Sequence, residues 1–272
     1  MGDGLQKLFD YVKEKRLLNF GAYRQNTIRR RLQERLSATG APDYASYLAY
    51  LRKHPEELNE LVDELLVKVS HFFRNPLVFE NLFSIVLPEL IEICRGDVLK
   101  IWCAGCAHGE EVYSTAMLIQ ELAGNDAQRP RTFILGTDID RNALEEARKA
   151  EYGIESLGEV KKAYLDKYFT VQDGRYTVTK EIREMAAFAY HDVTICTTPK
   201  EGILSDYHLI LCRNVVIYFE RGLSEKVLQG LASFIPRQGY LLLGEAEAIP
   251  ESIAGAYNEI APMTKLFRKG ET

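Results

Sequence analysis

Residues 100–111, KIWCAGCAHGEE, carry the strongest structural signal in this chain of 272 residues. They predict a buried strand, a turn of small residues and a helix that begins with two acids. Gly105 and Gly109 flank the turn, so the backbone can pass close to a ligand without a Cβ in the way. A strand, turn and helix in this order form the nucleotide-binding corner of α/β folds.

The spacing and the charges of this turn narrow the kind of ligand. The turn matches neither the Gly-x-Gly-x-x-Gly dinucleotide fingerprint nor the Gly-x-x-x-x-Gly-Lys phosphate loop. Glu110 and Glu111 follow the second glycine, and carboxylates at a helix start suit hydroxyl groups or a cation but repel a phosphate. A cofactor with ribose hydroxyls and a positive centre, such as S-adenosylmethionine, fits this chemistry.

From Val98 onward the sequence alternates short apolar runs with helical periods. The predicted strands are residues 98–103, 132–137, 186–190, 207–212 and 240–243, with a last strand around 260–268. The helices predicted between them are residues 110–122, 141–149 and 223–234. Strands that alternate with helices predict an α/β fold, with a doubly wound, mostly parallel sheet covered on both faces.

One segment interrupts this alternation. Residues 168–178, YFTVQDGRYTV, read as two strands joined by the Asp173-Gly174 pair, which is a strong hairpin signal. We therefore expect a small antiparallel insert at about residues 166–180 of the sheet domain.

The N-terminal part of the chain predicts helices only. Apolar residues recur at helical spacing in two successive segments, and Gly40 ends the second of them. Pro42-Asp43 and Pro55-Glu56 open two more helices. The predicted domains are a helical domain at residues 1–75, a helical linker at 76–97 and the sheet domain at 98–272.

The composition, 46% hydrophobic and 27% charged, is that of an ordinary globular protein. No apolar run is long enough for a membrane span and no signal peptide is recognisable, so we expect a cytoplasmic protein without membrane insertion. Its five cysteines lie in apolar segments, which is typical of buried thiols in a reducing compartment. Cys103 and Cys106 have no second Cys or His pair beside them, so we expect no metal.

The net charge of −5 conceals a basic segment. Residues 16–35 contain six arginines and the single acid Glu34, a local charge of +5, so the rest of the chain carries −10. On a helix, Arg24, Arg31 and Arg35 fall within about 40° of one another. Such a row is usually a solvated face; the alternative is contact with an acidic protein helix or with nucleic acid. Because the acidic remainder would repel a polyanion, we expect no nucleic acid among the partners.

Polar residues follow two of the predicted strands. Asp138 ends the second strand, where nucleotide-binding α/β folds place an acid that accepts hydrogen bonds from the ribose, and Asp140 is expected to cap the next helix. Arg213 and Asn214 directly follow the fourth strand, at the edge where parallel sheets bind ligands. The competing interpretation is a salt-bridged Arg and a turn-forming Asn. Tyr218 is either a packed tyrosine or a hydroxyl directed at the reacting group.

Residues 70–76, SHFFRNP, lie where the helical part meets the sheet. The two phenylalanines either pack in a core beside a solvated Arg74, or they anchor a segment that folds over the cofactor and directs Arg74 at a carboxylate. Arginine suits the second role because its planar fork pairs bidentately with carboxylates.

Taken together, these motifs resemble those of the chemotaxis receptor glutamate methyltransferases, the CheR family. The resemblance rests on motifs in the family's order, namely FFR at 72–74, WCAGC at 102–106 with GEEVYS at 109–114, TDID at 137–140, CRNVVIYF at 212–219 and GYLLLGE at 239–245. It covers nearly the whole chain, including the helical N-terminal domain.

The resemblance implies a class I methyltransferase-like sheet domain that moves a methyl group from S-adenosylmethionine to glutamate carboxylates of chemoreceptors, leaving S-adenosylhomocysteine. It implies catalytic roles for Arg74 and Tyr218 near the methyl group and the incoming carboxylate. It implies a monomer whose Arg24, Arg31 and Arg35 dock on the acidic helices of the receptor's cytoplasmic part. The implied cofactor-binding residues are Ser70, Arg74, Gly105, Glu111, Asp138, Asp192, Val193, Arg213 and Asn214.

The chain departs from the family pattern at several positions. Lys68 and Ser70 stand where the family has Asn and Thr, Ala107-His108 where it has Ser-Thr, and Asp192-Val193 where it has Asn-Leu beside the adenine. The Asp173-Gly174 turn is short, whereas members that tether to a receptor's C-terminal pentapeptide carry a longer Gly-rich loop there. We therefore expect independence from that tether. If the altered positions abolish turnover, the alternative is a non-catalytic regulatory module that binds S-adenosylmethionine in another signalling pathway.

Overall fold

The computed structural model describes residues 3–16, 18–66, 70–124, 128–200 and 206–271, and Lys68 lies outside them. The chain divides into a helical unit, residues 1–67 and 217–224, and a sheet unit, residues 68–216 and 225–272. The first division thus falls at residue 67 instead of the expected 75. Among the described residues, no helix is both long enough and apolar enough to cross a bilayer.

The helical unit is built on amphipathic helices whose apolar stripes meet. Its first helices are α1 (Asp3–Arg16), α2 (Gln25–Thr39), α3 (Tyr44–Lys53) and α4 (Glu57–Leu65). Residues at helical spacing on each of them are fully buried, among them Leu8, Val12, Leu32, Leu51 and Leu61. Burial of these stripes, more than local propensity, stabilises helices of this length.

The ends of these helices follow the signals in the sequence. Helix α2 ends at Gly40, whose left-handed backbone (φ 71°) allows its N–H to close on the carbonyl of Leu36. Helix α3 begins at Asp43, whose carboxylate accepts a hydrogen bond from the Ser46 N–H at 2.7 Å. Such a cap contributes about 1 kcal/mol to helix stability.

Residues 217–224 join the helical unit although they are distant from it in sequence. The Arg24 N–H donates to the Tyr218 carbonyl at 2.8 Å, and the rings of Tyr23 and Phe219 meet edge to face at 4.9 Å. This backbone pairing explains why the unit contains two separate segments, which local sequence patterns do not indicate.

The sheet unit contains a seven-stranded sheet and a three-stranded sheet. Its strands are β1 (Val98–Ala104), β2 (Arg131–Asp138), β3 (Glu151–Tyr152), β4 (Phe169–Gln172), β5 (Arg175–Val178), β6 (Ala186–Tyr190), β7 (Leu209–Cys212), β8 (Tyr240–Leu243), β9 (Tyr257–Ala261) and β10 (Leu266–Lys269). The large sheet has the order β6-β2-β1-β7-β8-β10-β9. The first five strands in this order, β6, β2, β1, β7 and β8, are parallel to one another. Strand β10 is antiparallel to both of its neighbours, β8 and β9. The predicted doubly wound, mostly parallel sheet is confirmed, and the expected last strand is in fact two.

Strand β1 lies in the interior of the large sheet because nearly every one of its residues is apolar. Trp102 is fully buried, and its indole N–H donates to the Thr137 hydroxyl at 2.8 Å on the neighbouring strand. The helices that accompany the sheet are α5 (Pro76–Asn81), α6 (Leu87–Ile93), α7 (Glu110–Ala123), α8 (Arg141–Lys149), α9 (Lys162–Tyr168), α10 (Lys180–Arg183), α11 (Arg221–Ser233) and α12 (Glu251–Ala254).

The small sheet is the predicted antiparallel insert, and it has the order β3-β5-β4. Asp173 and Gly174 form the two-residue turn between β4 and β5 with φ values of 50° and 74°, which is the backbone that this hairpin type requires. The third strand, β3, escaped prediction because it contains only two residues.

Residues 76–97 are part of the core of the sheet unit. Helices α5 and α6 are joined by a π-helical turn at Leu82–Val86, and the inward-facing residues Phe79, Leu82, Val86 and Leu90 are buried in the same cluster as β1. The segment that the sequence analysis described as a linker therefore packs as a structural element.

Candidate functional site

The turn between β1 and α7 is held by backbone hydrogen bonds to the neighbouring strand. The N–H groups of Gly105 and Cys106 both donate to the Thr137 carbonyl, at 2.8 and 2.9 Å. Gly105 is left-handed (φ 78°), and a Cβ there would lie only 2.3 Å from Cγ2 of Val215. A glycine is therefore required at residue 105 both by the left-handed backbone and by the packing of Val215, in addition to the approach of a ligand that the sequence predicts.

Asp138 lies at the end of β2, beside this turn. Its Oδ2 accepts from the Ala107 N–H and its Oδ1 from the Asp140 N–H, both at 2.9 Å. Burial raises the pKa of the Asp138 carboxyl, and the backbone N–H donors oppose that shift. Each carboxylate oxygen can accept a further hydrogen bond, so Asp138 retains the capacity to bind hydroxyl groups. Asp140 caps α8, as predicted, by accepting from the N–H groups of Asn142 and Ala143.

Glu111 and Arg213 form an ion pair in the interior of the sheet unit. Nη1 of Arg213 donates to Oε2 of Glu111 at 2.8 Å, and the two side chains are 3% and 14% exposed. Nη2 of Arg213 donates to the Arg74 carbonyl at 2.9 Å and to the Asn75 amide oxygen at 2.8 Å. Arg213 is thus a salt-bridged arginine that also joins the carboxyl edge of the sheet to the loop before α5.

The loop that carries Arg74 has an unusual backbone. Phe73 and Asn75 on either side of it are both left-handed, with φ values of 54° and 64°, a conformation that costs non-glycine residues of order 1–3 kcal/mol each. The Phe73 N–H donates to Oγ of Ser114 at 3.0 Å, and Phe72 and Phe73 are buried. The two phenylalanines therefore pack in the core and anchor the loop, whereas the folding of this loop over a cofactor, with Arg74 directed at a carboxylate, stays a prediction.

Glu110 is the first acid of α7, one of the two that the sequence predicts to suit hydroxyl groups or a cation. Its side chain is buried, and burial raises the pKa of its carboxyl while a hydrogen bond with the Ser70 side chain opposes the shift. Its Oε2 has no hydrogen-bond partner among the described residues. Ser70 therefore contacts this carboxylate from the loop of Arg74.

Asp192 and Val193 follow β6, at the same edge of the sheet as Asp138. Oδ1 of Asp192 accepts from the N–H and from the hydroxyl of Thr194, at 2.9 and 2.6 Å, and so caps the short turn Val193–Ile195. Val193 is buried. The expected contact of this pair with an adenine stays a prediction.

Glu247 escaped the sequence analysis and is among the most hydrogen-bonded carboxylates of the described chain. It lies just beyond β8 and is 4% exposed. Its two oxygens accept from the N–H groups of Gly244, Asn214, Val215 and Val216 at 2.6 to 3.1 Å. The only signal in the sequence was an acid close behind an apolar strand, which does not identify partners about thirty residues upstream.

Two of the three arginines predicted to form an open basic row on α2 are paired with acids inside the helical unit. Arg35 forms a two-pronged ion pair with Glu57 of α4, at 3.0 and 2.7 Å, and the Tyr47 hydroxyl donates to the same carboxylate. Arg31 pairs with Glu64 of α4 at 3.5 Å. These two arginines are consequently engaged inside the helical unit and do not form an open charged row.

The open charges of α2 are found next to that row. Arg24, Arg29 and Arg30 are exposed, and Nε of Arg24 donates to the Phe219 carbonyl at 3.3 Å. Within the part of the chain that the structure describes, Arg29 and Arg30 have no ion-pair partner. Positive charge on this helix is therefore presented at Arg29 and Arg30 more than at Arg31 and Arg35.

A cavity of about 390 Å³ opens in the sheet unit between α5 and α9. Aromatic residues, among them Phe73, Phe79 and Tyr164, form part of its walls, and Glu159 also lines it. None of Asp138, Glu111 and Arg213 reaches it. The acidic and polar residues predicted for a cofactor lie instead at the carboxyl ends of β1, β2 and β7, where open α/β sheets bind ligands.

The carboxyl ends of β1, β2 and β7, called the crevice below, fit S-adenosylmethionine by the chemistry of their donors and acceptors. Asp138 has free lone pairs for hydroxyl groups, and Glu111, whose Oε2 is bound by Arg213, adds a second carboxylate at the same edge of the sheet. The turn at residues 105–109 contains no Lys or Arg that would suit a phosphate.

Two family models cover most of the chain. Residues 68–264 match the model described as CheR methyltransferase, SAM binding domain, and residues 3–66 match CheR methyltransferase, all-alpha domain.

Individual relatives are more distant. An uncharacterised 104.1 kDa protein of Rhodobacter capsulatus is 32% identical over 85% of this chain, which spans only 24% of that protein. A chemotaxis protein methyltransferase of Borreliella burgdorferi is 29% identical over 91% of this chain and 88% of its own length. Among solved structures, magnesium protoporphyrin IX methyltransferase from Synechocystis PCC 6803 is 17% identical, with a TM-score of 0.34, over 72% of this chain and 68% of that one.

Proposed function

This chain belongs to the CheR methyltransferase family, and we propose that it methylates glutamate side chains of a chemoreceptor with S-adenosylmethionine as methyl donor. The observation that carries the proposal is the convergence of Asp138, Glu111, Arg213 and the Arg74 loop at one edge of the sheet. The relative from Borreliella burgdorferi, a chemotaxis protein methyltransferase aligned over most of both chains, supports it.

In this proposal the crevice residues hold the cofactor. Asp138 accepts from the ribose hydroxyls, and Asp192 with Val193 faces the adenine. Gly105 and Glu111 form the floor and one wall. Ser70, Arg213 and Asn214 complete the site, and Arg213 acts through the Arg74 loop that it holds.

The chain's contribution to catalysis is alignment and exclusion of water. When bound, S-adenosylmethionine supplies a methyl group on a sulfonium, which is already a good leaving group. A glutamate side chain is an anionic nucleophile at neutral pH, so no residue has to remove a proton from it. We assign Arg74 and Tyr218 to orient the incoming carboxylate, because placing two oppositely charged reactants in line accounts for much of such a rate enhancement.

The partner in this proposal is an acidic helical segment of the receptor's cytoplasmic part, met by a monomeric, cytoplasmic enzyme. Arg24, Arg29 and Arg30 supply the exposed positive charge of the helical unit for that contact. The two-residue turn at Asp173-Gly174 leaves no long loop between β4 and β5, which supports independence from a receptor's C-terminal pentapeptide.

Radiolabelled methyl transfer tests the proposal. The full chain is incubated with methyl-labelled S-adenosylmethionine and cytoplasmic fragments of candidate receptors. We expect receptor-bound label that is released by mild base, since glutamyl methyl esters are base-labile. Label that resists base, or cofactor binding without transfer to any fragment, would contradict the function. A receptor fragment with its acidic sites changed to glutamine is the matched control.

A further inference from the structure

Glu247 occupies a concavity formed by backbone N–H groups at the carboxyl edge of the large sheet. Its Oε1 accepts from Val215 and Val216 at 2.8 and 2.9 Å, and its Oε2 accepts from Asn214 at 3.1 Å and Gly244 at 2.6 Å. Three of the four donors are consecutive residues. Successive N–H groups that converge in this way form an anion-binding nest, and here the anion is part of the chain itself.

The loop after β7 donates to this carboxylate from three consecutive residues. Asn214 is left-handed, with φ 59°, and that conformation is unfavourable for a residue with a side chain. The closeness of the loops is also visible at Gly244, where a Cβ would lie 2.7 Å from the Asn214 nitrogen and 2.8 Å from Oε2 of Glu247. Glu247 thus compensates the strained backbone and joins the loop after β7 to the loop after β8.

The same loop touches the turn that begins the cofactor crevice. A Cβ on Gly105 would lie only 2.3 Å from Cγ2 of Val215, so the valine side chain packs directly over the turn. The Val215 N–H donates to Glu247, so the carboxylate binds the backbone that carries this valine side chain. Arg213, two residues before Val215, binds Glu111 and the Arg74 carbonyl. A shift of this loop would therefore reach the turn, the ion pair and the Arg74 loop together.

We propose that Glu247 is a positioning residue for methyl transfer: by holding the N–H groups of Asn214, Val215 and Val216, it sets the cofactor crevice through Val215 and Arg213. It does not touch the reacting atoms. The inference rests on the methyltransferase function proposed above. It predicts that loss of the carboxylate weakens cofactor binding in a protein that is still folded.

Glu247→Gln is the main test because it keeps the size of the side chain. An amide offers one accepting oxygen and one NH₂ group. Since each oxygen of Glu247 serves two N–H groups, two of the four donors lose their acceptor in either amide orientation. Misplacement of site residues by about 1 Å can cost about 10²-fold in rate, so we expect at least a tenfold loss of affinity for S-adenosylhomocysteine and of kcat/KM.

Glu89→Gln is the matched control. Glu89 accepts from the Tyr240 hydroxyl at 2.7 Å and from Arg268, so it holds the amino end of β8, whereas Glu247 lies beyond its carboxyl end. Both variants remove one carboxylate that ties β8 to its surroundings. We expect both to lower Tm, and only Glu247→Gln to weaken binding of S-adenosylhomocysteine, measured by calorimetry well below either Tm.

A second arm follows the contact through Val215. In a Val215→Ala background the side chain over Gly105 is truncated, so Glu247→Gln should cost less affinity than it does in the wild type. If Glu247→Gln fails to fold, Glu247→Asp, which keeps the charge and withdraws it by one methylene, takes its place with the same expected loss.

Two results would overturn the inference. One is a folded Glu247 variant that binds S-adenosylhomocysteine as tightly as the wild type does, and the other is an equal loss of affinity in Glu89→Gln. The binding measurement needs no receptor, so absence of methyl transfer by the wild-type chain would count against the proposed function and leave the positioning role to be judged on affinity alone.

Discussion

Replacing Glu111 with glutamine tests whether the buried ion pair holds the site together. The Arg213 side chain is 3% exposed and that of Glu111 is 14% exposed, so the change leaves a guanidinium charge in the interior without its carboxylate. Arg213 keeps the Arg74 carbonyl and the Asn75 amide oxygen on Nη2. The amide oxygen of the new glutamine can still accept from Nη1.

The expected loss of stability follows from this geometry. Removing one partner of a buried ion pair costs about 3–5 kcal/mol, and the retained neutral acceptor places Glu111→Gln at the lower end, about 3 kcal/mol. For a domain of roughly 200 residues, each kcal/mol moves Tm by about 2–4 °C, so Tm should fall by about 6–12 °C. The affinity for S-adenosylhomocysteine should fall as well, because the Arg74 loop loses part of its support.

Scanning calorimetry and binding titration of the same preparations measure both effects. Glu121→Gln is the control, since Glu121 lies on the same helix and pairs with Lys167, whose side chain is 56% exposed. The Glu121 side chain is 26% exposed and also accepts from the Tyr168 hydroxyl at 2.6 Å, and an amide oxygen can replace the carboxylate as this acceptor. The ion pair with the exposed lysine contributes about 0–1 kcal/mol. We expect a smaller loss of Tm and unchanged affinity in this control.

The double variant Glu111→Gln/Arg213→Met decides whether the effect comes from the pair. Once the guanidinium is gone, removing the carboxylate should cost little, which gives a coupling of about 2 kcal/mol in the double-mutant cycle. A coupling of zero, or equal Tm values for Glu111→Gln and Glu121→Gln, would refute the reasoning.

Three further predictions concern other parts of the chain. Gly105→Ala places a Cβ against Val215 at a left-handed residue and should cost about 2–4 kcal/mol in urea unfolding; an unchanged midpoint would contradict the packing. Burial raises the pKa of the Glu110 carboxyl in the folded protein above its pKa in the unfolded chain. The protonated carboxyl therefore contributes stability that is fully present below the pKa of the unfolded chain, and this stability is lost as pH rises through the pKa of the folded protein. In Glu110→Gln the free energy of unfolding should therefore fall less steeply with rising pH than it does in the wild type. Equal slopes of the two curves of unfolding free energy against pH would contradict this prediction. Reversing Arg29 and Arg30 to glutamate should weaken binding of an acidic receptor fragment and reduce its salt dependence without lowering Tm, as titration at two ionic strengths can show.

The elements that could be predicted are those specified by neighbouring residues. Helix periodicity, the cap at Asp140 and the hairpin turn at Asp173-Gly174 are local signals, and the structure has them at the expected positions. The alternation of strands and helices predicts a mostly parallel sheet, and the handedness of the crossovers restricts its topology without fixing the order of the strands. That is why the fold class was accessible from the sequence, whereas the cofactor contacts of the site residues stay predictions.

The features that the sequence did not reveal depend on contacts between residues that are far apart in sequence. Glu247 binds N–H groups 31 to 33 residues upstream, and no local pattern distinguishes it from a solvated acid. Arg35 finds Glu57 on another helix, so a row that looked like a docking face is partly internal. Residues 217–224 return to the helical unit through backbone pairing, which leaves no mark on the composition of the segment.

The acids at the crevice form hydrogen bonds and an ion pair with other parts of the protein itself. Asp138 holds the turn after β1, Glu247 holds the loop after β7, and Glu111 fixes Arg213, which in turn fixes the Arg74 loop. Each of these segments is held by hydrogen bonds from within the protein itself, which limits the conformations that they can adopt. For a reaction between an anionic nucleophile and a sulfonium, alignment is the main task left to the enzyme. Carboxylates that bind backbone N–H groups are therefore as much a part of this site as the residues expected to touch the substrate.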